Sequence, residues 1–384
     1  MTNLPIPFNI PTVVENQVKY FYQLRQNPSR FANGEFLNYC ESKLESFYPE
    51  SKVFMTNSCS SALYIAALSL GLKPGDEVIL PSFSFVATAN AIALTGAKPI
   101  FVDIEPQTMN IDPDKVSHAI TDKTKAVLIV HYGGVAANMD KILQITQMHR
   151  LFLIEDAAHS ILSYFKDQPL GSLGHIGCLS FDHQKNISCG QGGALLVNDQ
   201  SLLHKVEQIY ENGTNKNAYL RGEENQYSWL RTGGNYKMAE ISAAFLYPQL
   251  QRVKEITVSR KNLWHLYFNG LKSLEEQGNV ELSHPPDFAY HNAHIFFIKT
   301  QNFRERTALV NDLLHNGIET RPHYIPLHSS PMGCEVSRFA GEDRFTTAGS
   351  DRLLRLPLYF GLPQKEVQQV VDMINQFYQG RASG

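Results

Sequence analysis

Residues Ser180 to Gly193 read SFDHQKNISCGQGG, with a lone lysine, Lys185, five residues after a serine and just ahead of Gly190, Gly192 and Gly193. A lysine held in a low-dielectric pocket beside a positive charge loses its proton readily and becomes a nucleophile toward aldehydes. A solvated surface loop would carry the same residues, so the stretch alone does not choose. Upstream, TNSCSSAL (Thr56 to Leu63) sets small polar residues ahead of a helical Ala/Leu pattern. Backbone N–H groups at a helix start lack carbonyl partners and favour anions, which makes a phosphate cradle; an ordinary serine N-cap gives the same sequence. Between the two, IEDAAH (Ile154 to His159) ends an apolar run in an acid pair. A carboxylate there needs a cationic or protonated partner to offset desolvation, such as a protonated heterocycle nitrogen, unless it simply caps the next helix. The joint order in one unit (cradle, aromatic strand end, acid, then serine with lysine five residues on) favours the chemical reading of all three.

These clusters need elements to hold them. Val78 to Leu80, Pro99 to Val102, Ala126 to Val130, Leu151 to Ile154, Cys178 to Phe181 and Ala194 to Val197 are short, apolar and bounded by polar residues or Gly, the pattern of buried strands. Ser61 to Leu70, Val86 to Leu94 and Lys141 to Met148 have the length and Ala/Leu content of helices. Such alternation predicts an α/β fold, a mostly parallel sheet with right-handed crossovers. Ligands of these sheets sit beyond the carboxyl ends of the strands, so the PSFSF, DIEP, HYGG, EDAAH and DHQK loops should converge on one crevice. From Ala239 a long helical pattern follows, with a kink or break expected at Pro248. It leads to strand candidates over Asn279 to Leu282 and His294 to Lys299, and to helices over Glu305 to His315 and Gln364 to Tyr378. The expected division is a large domain over 1–250, with the N-terminal segment, and a smaller α+β domain over 251–384.

The 384 residues carry 34 basic and 37 acidic side chains, net −3, a balance that points to neither nucleic acid nor an anionic membrane as partner. No apolar run approaches the ~18 residues of a membrane span, and the first residues lack the basic start and apolar core of a signal peptide. Five scattered cysteines without a CxxC pair indicate neither a disulfide framework nor a zinc site. A cytoplasmic protein without a metal is the expectation.

From PFNIP (Pro7 to Pro11) to RLPLYF (Arg355 to Phe360), nearly the whole chain resembles the DegT/DnrJ/EryC1/StrS sugar aminotransferases. These are fold type I enzymes of the aspartate aminotransferase superfamily that use pyridoxal 5′-phosphate (PLP). HYGGVAANMD, RPHYIPLH and GEDRFTTAGSDRLLRLPL make the chain most similar to members that aminate TDP-4-keto-6-deoxyglucose at C4. The resemblance implies that Lys185 bonds to the aldehyde carbon of PLP and then shuttles a proton between the donor's Cα and C4′. It implies that Asp156 pairs with the pyridinium nitrogen. Ser180, the amides of Cys59 and Ser60 and the Ser60 hydroxyl match the phosphate-binding set. Phe85 matches the aromatic stacked on the ring, Ala158 would approach the other face, and His159 lies near the phenolic oxygen. Asn235 matches a residue that reaches the phosphate from the neighbouring subunit, which implies a homodimer with shared active sites. The implied reaction moves an amino group from L-glutamate to a nucleotide-linked 4-keto-6-deoxyhexose, giving TDP-4-amino-4,6-dideoxygalactose for surface polysaccharide or antigen synthesis.

The chain departs from the family in places. Cys59 stands where Gly is common, Asp182-His183-Gln184 where HET is frequent, and Gln191 where GEGG has its acid. A backbone amide contact survives the first change. Members with histidine at the lysine position are sugar 3-dehydratases, and Lys185 therefore favours transamination. Arg321, His323, Tyr324 and His328 are candidates for the sugar nucleotide, although a proline-fixed loop packing two domains would look the same. Open alternatives are the 4-amino-4,6-dideoxyglucose epimer, a 3-amino sugar, a PLP-dependent decarboxylase or lyase, and a PLP-binding regulatory protein. Intact Lys185 and Asp156, with no basic patch or appended DNA-binding domain, argue against the regulator.

Overall fold

The computed structural model describes residues 6–382; residues 1–5, the start of the segment read for a leader, and 383–384 lie outside it. An eight-stranded sheet forms the centre, in the order Lys52–Thr56, Gly193–Val197, Ile176–Ser180, Phe152–Asp156, Thr124–Val130, Glu77–Pro81, Lys98–Val102, Arg338–Phe339. Gly193–Val197 pairs antiparallel with both of its neighbours, and every other pairing is parallel. Thr124–Val130 is buried at all positions but one and Ile176–Ser180 at all five, because helices cover both faces. Helix Cys59–Ser69 is apolar nearly all round for the same reason, with Ala62, Leu63, Ile65 and Ala66 packed into the core beneath the sheet.

The expected strands and helices are present with ends shifted by at most two residues, except that the last helix, Gln364–Ala382, runs further. Strands Lys52–Thr56 and Leu353–Leu356 and helices Gln17–Gln26 and Glu35–Glu45 were not legible. Helix Glu240–Gln251 continues through Pro248, and the break falls four residues later at Arg252 (φ −104°), before Val253–Glu276. The proline removes one hydrogen bond, while Ala243, Ala244, Leu246 and Leu250 hold the helix in place by burial.

After that break, Glu281–Leu282, Phe296–Lys299 and Leu353–Leu356 form a three-stranded sheet. It packs with helices Val253–Glu276, Phe303–His315 and Gln364–Ala382 around Trp264, Tyr267, Phe296, Leu354 and Val370. This part also reaches back, since Arg338–Phe339 adds a strand beside Lys98–Val102 and the Leu327 N–H donates to the Ser82 carbonyl at 3.0 Å. Among the described residues no helix is long and apolar enough to cross a membrane.

Candidate active site

The carboxyl ends of the central strands open into one cavity of about 600 Å³, walled by both parts of the chain. Lys185 is in its wall, on a turn set by Asp182: Asp182 Oδ1 accepts the Gln184 N–H at 3.1 Å and the Asp182 carbonyl accepts the Lys185 N–H at 2.9 Å. The next residue, Asn186, is tied on both sides, by Thr12 Oγ1 donating to its carbonyl at 2.8 Å and by its own amide donating to the Asn292 carbonyl at 3.1 Å. The DHQ triplet that departs from the family pattern is thus an Asx turn that aims the lysine. Lys185 is half-buried and lines the cavity. Burial lowers its pKa below that of an ordinary lysine, while Cys59, Asp156 and Asp182 resist the shift.

Asp156 ends its strand in the same cavity and is 5% exposed. Its Oδ2 accepts the Thr88 hydroxyl at 2.9 Å and its Oδ1 the Ala158 N–H at 3.1 Å. Burial raises its pKa and these two hydrogen bonds oppose the rise. Among the described residues no cation forms an ion pair with it, and the charge of Lys185 offsets its burial only in part. Its neighbour Glu155 is committed elsewhere, accepting from His131 Nε2 at 2.8 Å and from the N–H groups of Gly171 and Leu173. The acid pair therefore divides into one structural and one cavity-facing carboxylate.

Across the cavity, Cys59 and Ser60 begin a helix whose first N–H groups have no carbonyl behind them. Ser58 caps it by accepting the Ser61 N–H at 3.1 Å, so the N-cap reading and the cradle reading both hold for the same turn. Ser180 lies in the wall as well. A Cβ on Gly193 would stand 2.5 Å from the Cys59 nitrogen, so only glycine lets this strand pass behind the helix start. Gly190, by contrast, is exposed with φ +84° and serves its turn.

Phe85 caps helix Val86–Ala93 and keeps 57% of its surface exposed in the cavity mouth. His159 is buried, accepts the Gly133 N–H at Nδ1 (3.2 Å) and stacks on His294 at 4.2 Å. Burial holds its pKa well below the usual histidine range, which leaves Nε2 carrying the hydrogen of a neutral ring. Ala158 also lines the cavity.

His323 and Tyr324 reach the cavity, stacked on each other at 3.8 Å, with His323 Nδ1 3.1 Å from the Tyr132 hydroxyl. Arg321 and His328 do not. Arg321 turns outward to Glu319 at 3.4 Å, and His328 joins Ser82 (2.7 Å) to Asp343 (3.2 Å), as a loop-packing residue would. Asn235 is exposed and outside this chain's cavity wall, its carbonyl accepting from Asn57 at 3.3 Å. Sequence reasoning missed Thr88, His294 and Arg355. Arg355 had a signal, a charged residue inside the apolar run LLRL; Thr88 and His294 had none.

A mostly parallel α/β sheet whose strand ends gather a half-buried lysine, a buried carboxylate without an ion-pair partner and a helix-start anion cradle defines a PLP-dependent enzyme. The model of the DegT/DnrJ/EryC1/StrS aminotransferase family matches residues 12–375, and the chain belongs to that family of PLP-dependent nucleotide-sugar aminotransferases. It is 31% identical to GDP-perosamine synthase of Caulobacter vibrioides, covering 98% of this chain and 99% of that one. It is 29% identical to the spore coat polysaccharide biosynthesis protein SpsC of Bacillus subtilis, covering 98% and 97%. A DegT DnrJ EryC1 StrS aminotransferase from Brucella abortus superposes with a TM-score of 0.86 at 27% identity, over 94% of this chain and 95% of that one.

Proposed function

We propose that the protein transfers the amino group of L-glutamate to a nucleotide-linked 4-keto-6-deoxyhexose, TDP-4-keto-6-deoxyglucose, giving TDP-4-amino-4,6-dideoxygalactose. The observation that carries the chemistry is the placement, in one cavity, of half-buried Lys185 with Asp156, a buried carboxylate without an ion-pair partner among the described residues. PLP would fit these residues: its ring nitrogen would give Asp156 the close cationic partner it lacks, and its phosphate would suit the N–H groups of Cys59 and Ser60, the Ser60 hydroxyl and Ser180. When bound, PLP supplies an aldehyde carbon and a ring that takes up the electron pair left at the donor's Cα.

The chain's own groups do the rest. Lys185, with its pKa lowered by burial, would offer a neutral amine to the aldehyde of bound PLP and would take and return the proton at the donor's Cα. Asp156 would keep the ring nitrogen of bound PLP protonated. His159 would stand near the phenolic oxygen with its Nε2–H free to donate, and Phe85 and Ala158 would hold the ring from its two faces. His323 and Tyr324 line the path of the sugar nucleotide. Asn235, exposed and outside this cavity wall, completes the phosphate site of a second copy in a homodimer. We place the domain boundary near residue 250 and the protein in the cytoplasm.

The relatives' names support a sugar as the substrate class, one being a spore coat polysaccharide biosynthesis protein and the other a GDP-perosamine synthase. The test is incubation with L-glutamate and a panel of keto sugar nucleotides, followed by NMR of the product. A single product aminated at C4 with the axial amine is expected. An equatorial amine or amination at C3 would correct the product, and turnover of a simple keto acid with no panel member reacting would overturn the sugar reading.

A further inference from the structure

The Asn186 side chain decides which nitrogen of His294 carries the ring hydrogen. Its Nδ2 donates to the Asn292 carbonyl at 3.1 Å, so the oxygen of the same amide is the atom 2.9 Å from His294 Nδ1. An amide oxygen only accepts, and Nδ1 must therefore be the donor. Burial, reinforced by His159, Lys185, Arg260 and Arg355, holds the His294 pKa well below the usual histidine range, which keeps the ring neutral. Nε2 is then a bare acceptor. His294 is 6% exposed and lines the cavity that holds Lys185, and among the described residues its Nε2 has no hydrogen-bond partner. His159, stacked on it at 4.2 Å, has the opposite tautomer, with its hydrogen on Nε2. The cavity wall thus sets a ring donor beside a ring acceptor.

The backbone that carries His294 is held under strain. Ala293 is buried with φ +52°, a left-handed conformation that a residue with a Cβ rarely takes. Buried Arg260 clamps it, with Nε donating to the Ala293 carbonyl at 3.1 Å and Nη2 to the His294 carbonyl at 2.6 Å. One residue earlier, Asn292 donates to the carbonyls of His159 and Ile161, both at 2.8 Å. A strained turn and a guanidinium committed to two carbonyls fix the direction of one ring.

We propose that His294 Nε2 accepts a hydrogen bond from the hydroxyl that flanks the keto carbon of the sugar, on C3, and so selects the substrate of the second half-reaction. This rests on the function proposed above. The two substrates differ in what they can donate. L-Glutamate brings two carboxylates, which only accept, and one amine, whose nitrogen is the group being transferred, so a bare ring nitrogen has nothing to receive from it. A hexose brings hydroxyls, each with a hydrogen to give. In a 4-keto-6-deoxyhexose C5 bears the ring oxygen and the methyl carbon, so the hydroxyl next to C4 is the one on C3. His294 is bonded to the side chain of the residue after Lys185, the lysine that handles the proton at the reacting carbon. That proximity favours the flanking hydroxyl over the one on C2.

The test measures the two half-reactions separately on the wild-type holoenzyme, His294→Asn and His294→Gln. An asparagine amide reaches as far as Nδ1 and keeps a donor for Asn186 while leaving nothing at Nε2, whereas a glutamine amide reaches the Nε2 position. L-Glutamate is mixed with the PLP form, and TDP-4-keto-6-deoxyglucose or its analogue lacking the C3 hydroxyl with the pyridoxamine form. Both are followed by cofactor absorption, which also shows that the variants fold. In His294→Asn the rate constant with the keto sugar should fall about 10- to 100-fold, while that with L-glutamate changes by less than about threefold. The wild type should prefer the hydroxylated sugar by about tenfold or more, His294→Asn should lose that preference, and His294→Gln should recover part of it. Equal losses in both half-reactions, as a role in holding Lys185 or the fold would give, would overturn the assignment. So would a wild type indifferent to the C3 hydroxyl, or a His294→Asn enzyme that keeps the preference. A wild type that reacts with L-glutamate but with no keto sugar nucleotide would instead overturn the proposed substrate, and that failure is visible without any variant.

Discussion

Thr88 Oγ1 lies 2.9 Å from Asp156 Oδ2 and 2.8 Å from Ser84 Oγ, so a short chain of hydroxyls, Ser84 to Thr88 to Asp156, ends on the carboxylate. Hydrogen bonds to the charged form oppose the burial that raises the Asp156 pKa. Thr88→Val keeps the shape and removes the donor. It should weaken PLP binding about tenfold, corresponding to ~1–2 kcal/mol for a hydrogen bond to a charged group, with cofactor absorption retained at saturation. An unchanged PLP Kd in equilibrium dialysis would mean that the hydroxyl does not support the carboxylate.

Gly193 gives a second prediction, on the cradle. The alanine methyl would meet the Cys59 nitrogen at 2.5 Å, and backbone cannot yield as a side-chain tip does. Gly193→Ala should push the helix start away, at a cost of about 1–3 kcal/mol. If the helix start holds the phosphate, the affinity ratio of PLP to unphosphorylated pyridoxal falls. Equal losses for both ligands would locate the phosphate elsewhere.

A third prediction concerns pH. His159, His294 and His323 are held by burial below the ordinary histidine value of 6.5, and His291 is lowered to about 4. The unfolded chain therefore binds protons below about pH 6.5 that the folded chain refuses. Stability is complete above that pH and declines as pH falls, by up to ~1.4 kcal/mol per pH unit for each group. Urea midpoints should drop between about pH 7.5 and pH 5.5, and His291→Gln should flatten the slope. A midpoint that holds steady or rises on acidification would show that these rings take up protons in the fold.

Much of the site was legible because its parts are local. Asp156, Ser180, Ser60 and Phe85 each stand at a strand end or helix start, and Lys185 in the turn that follows a strand, where short-range pattern fixes geometry. Thr88 and His294 were not legible, since Thr88 meets Asp156 across 68 residues of chain and His294 meets Asn186 across 108. Arg321 and His328 show the converse: a cationic cluster dense in sequence divides in space, with His323 and Tyr324 in the cavity wall while Arg321 pairs with Glu319 and His328 with Asp343. Strand Lys52–Thr56 was hidden beside the polar run that follows it, its pairing with Gly193–Val197 being invisible to local pattern.

The most direct measurement is borohydride trapping of the cofactor on the purified holoenzyme, followed by peptide mass spectrometry. A phosphopyridoxyl group on the peptide containing Lys185, and on no other, is the predicted result. Lys185→Ala should abolish the label and lower turnover by at least ~100-fold. A label on another lysine, or none with turnover intact, would contradict the assignment of Lys185.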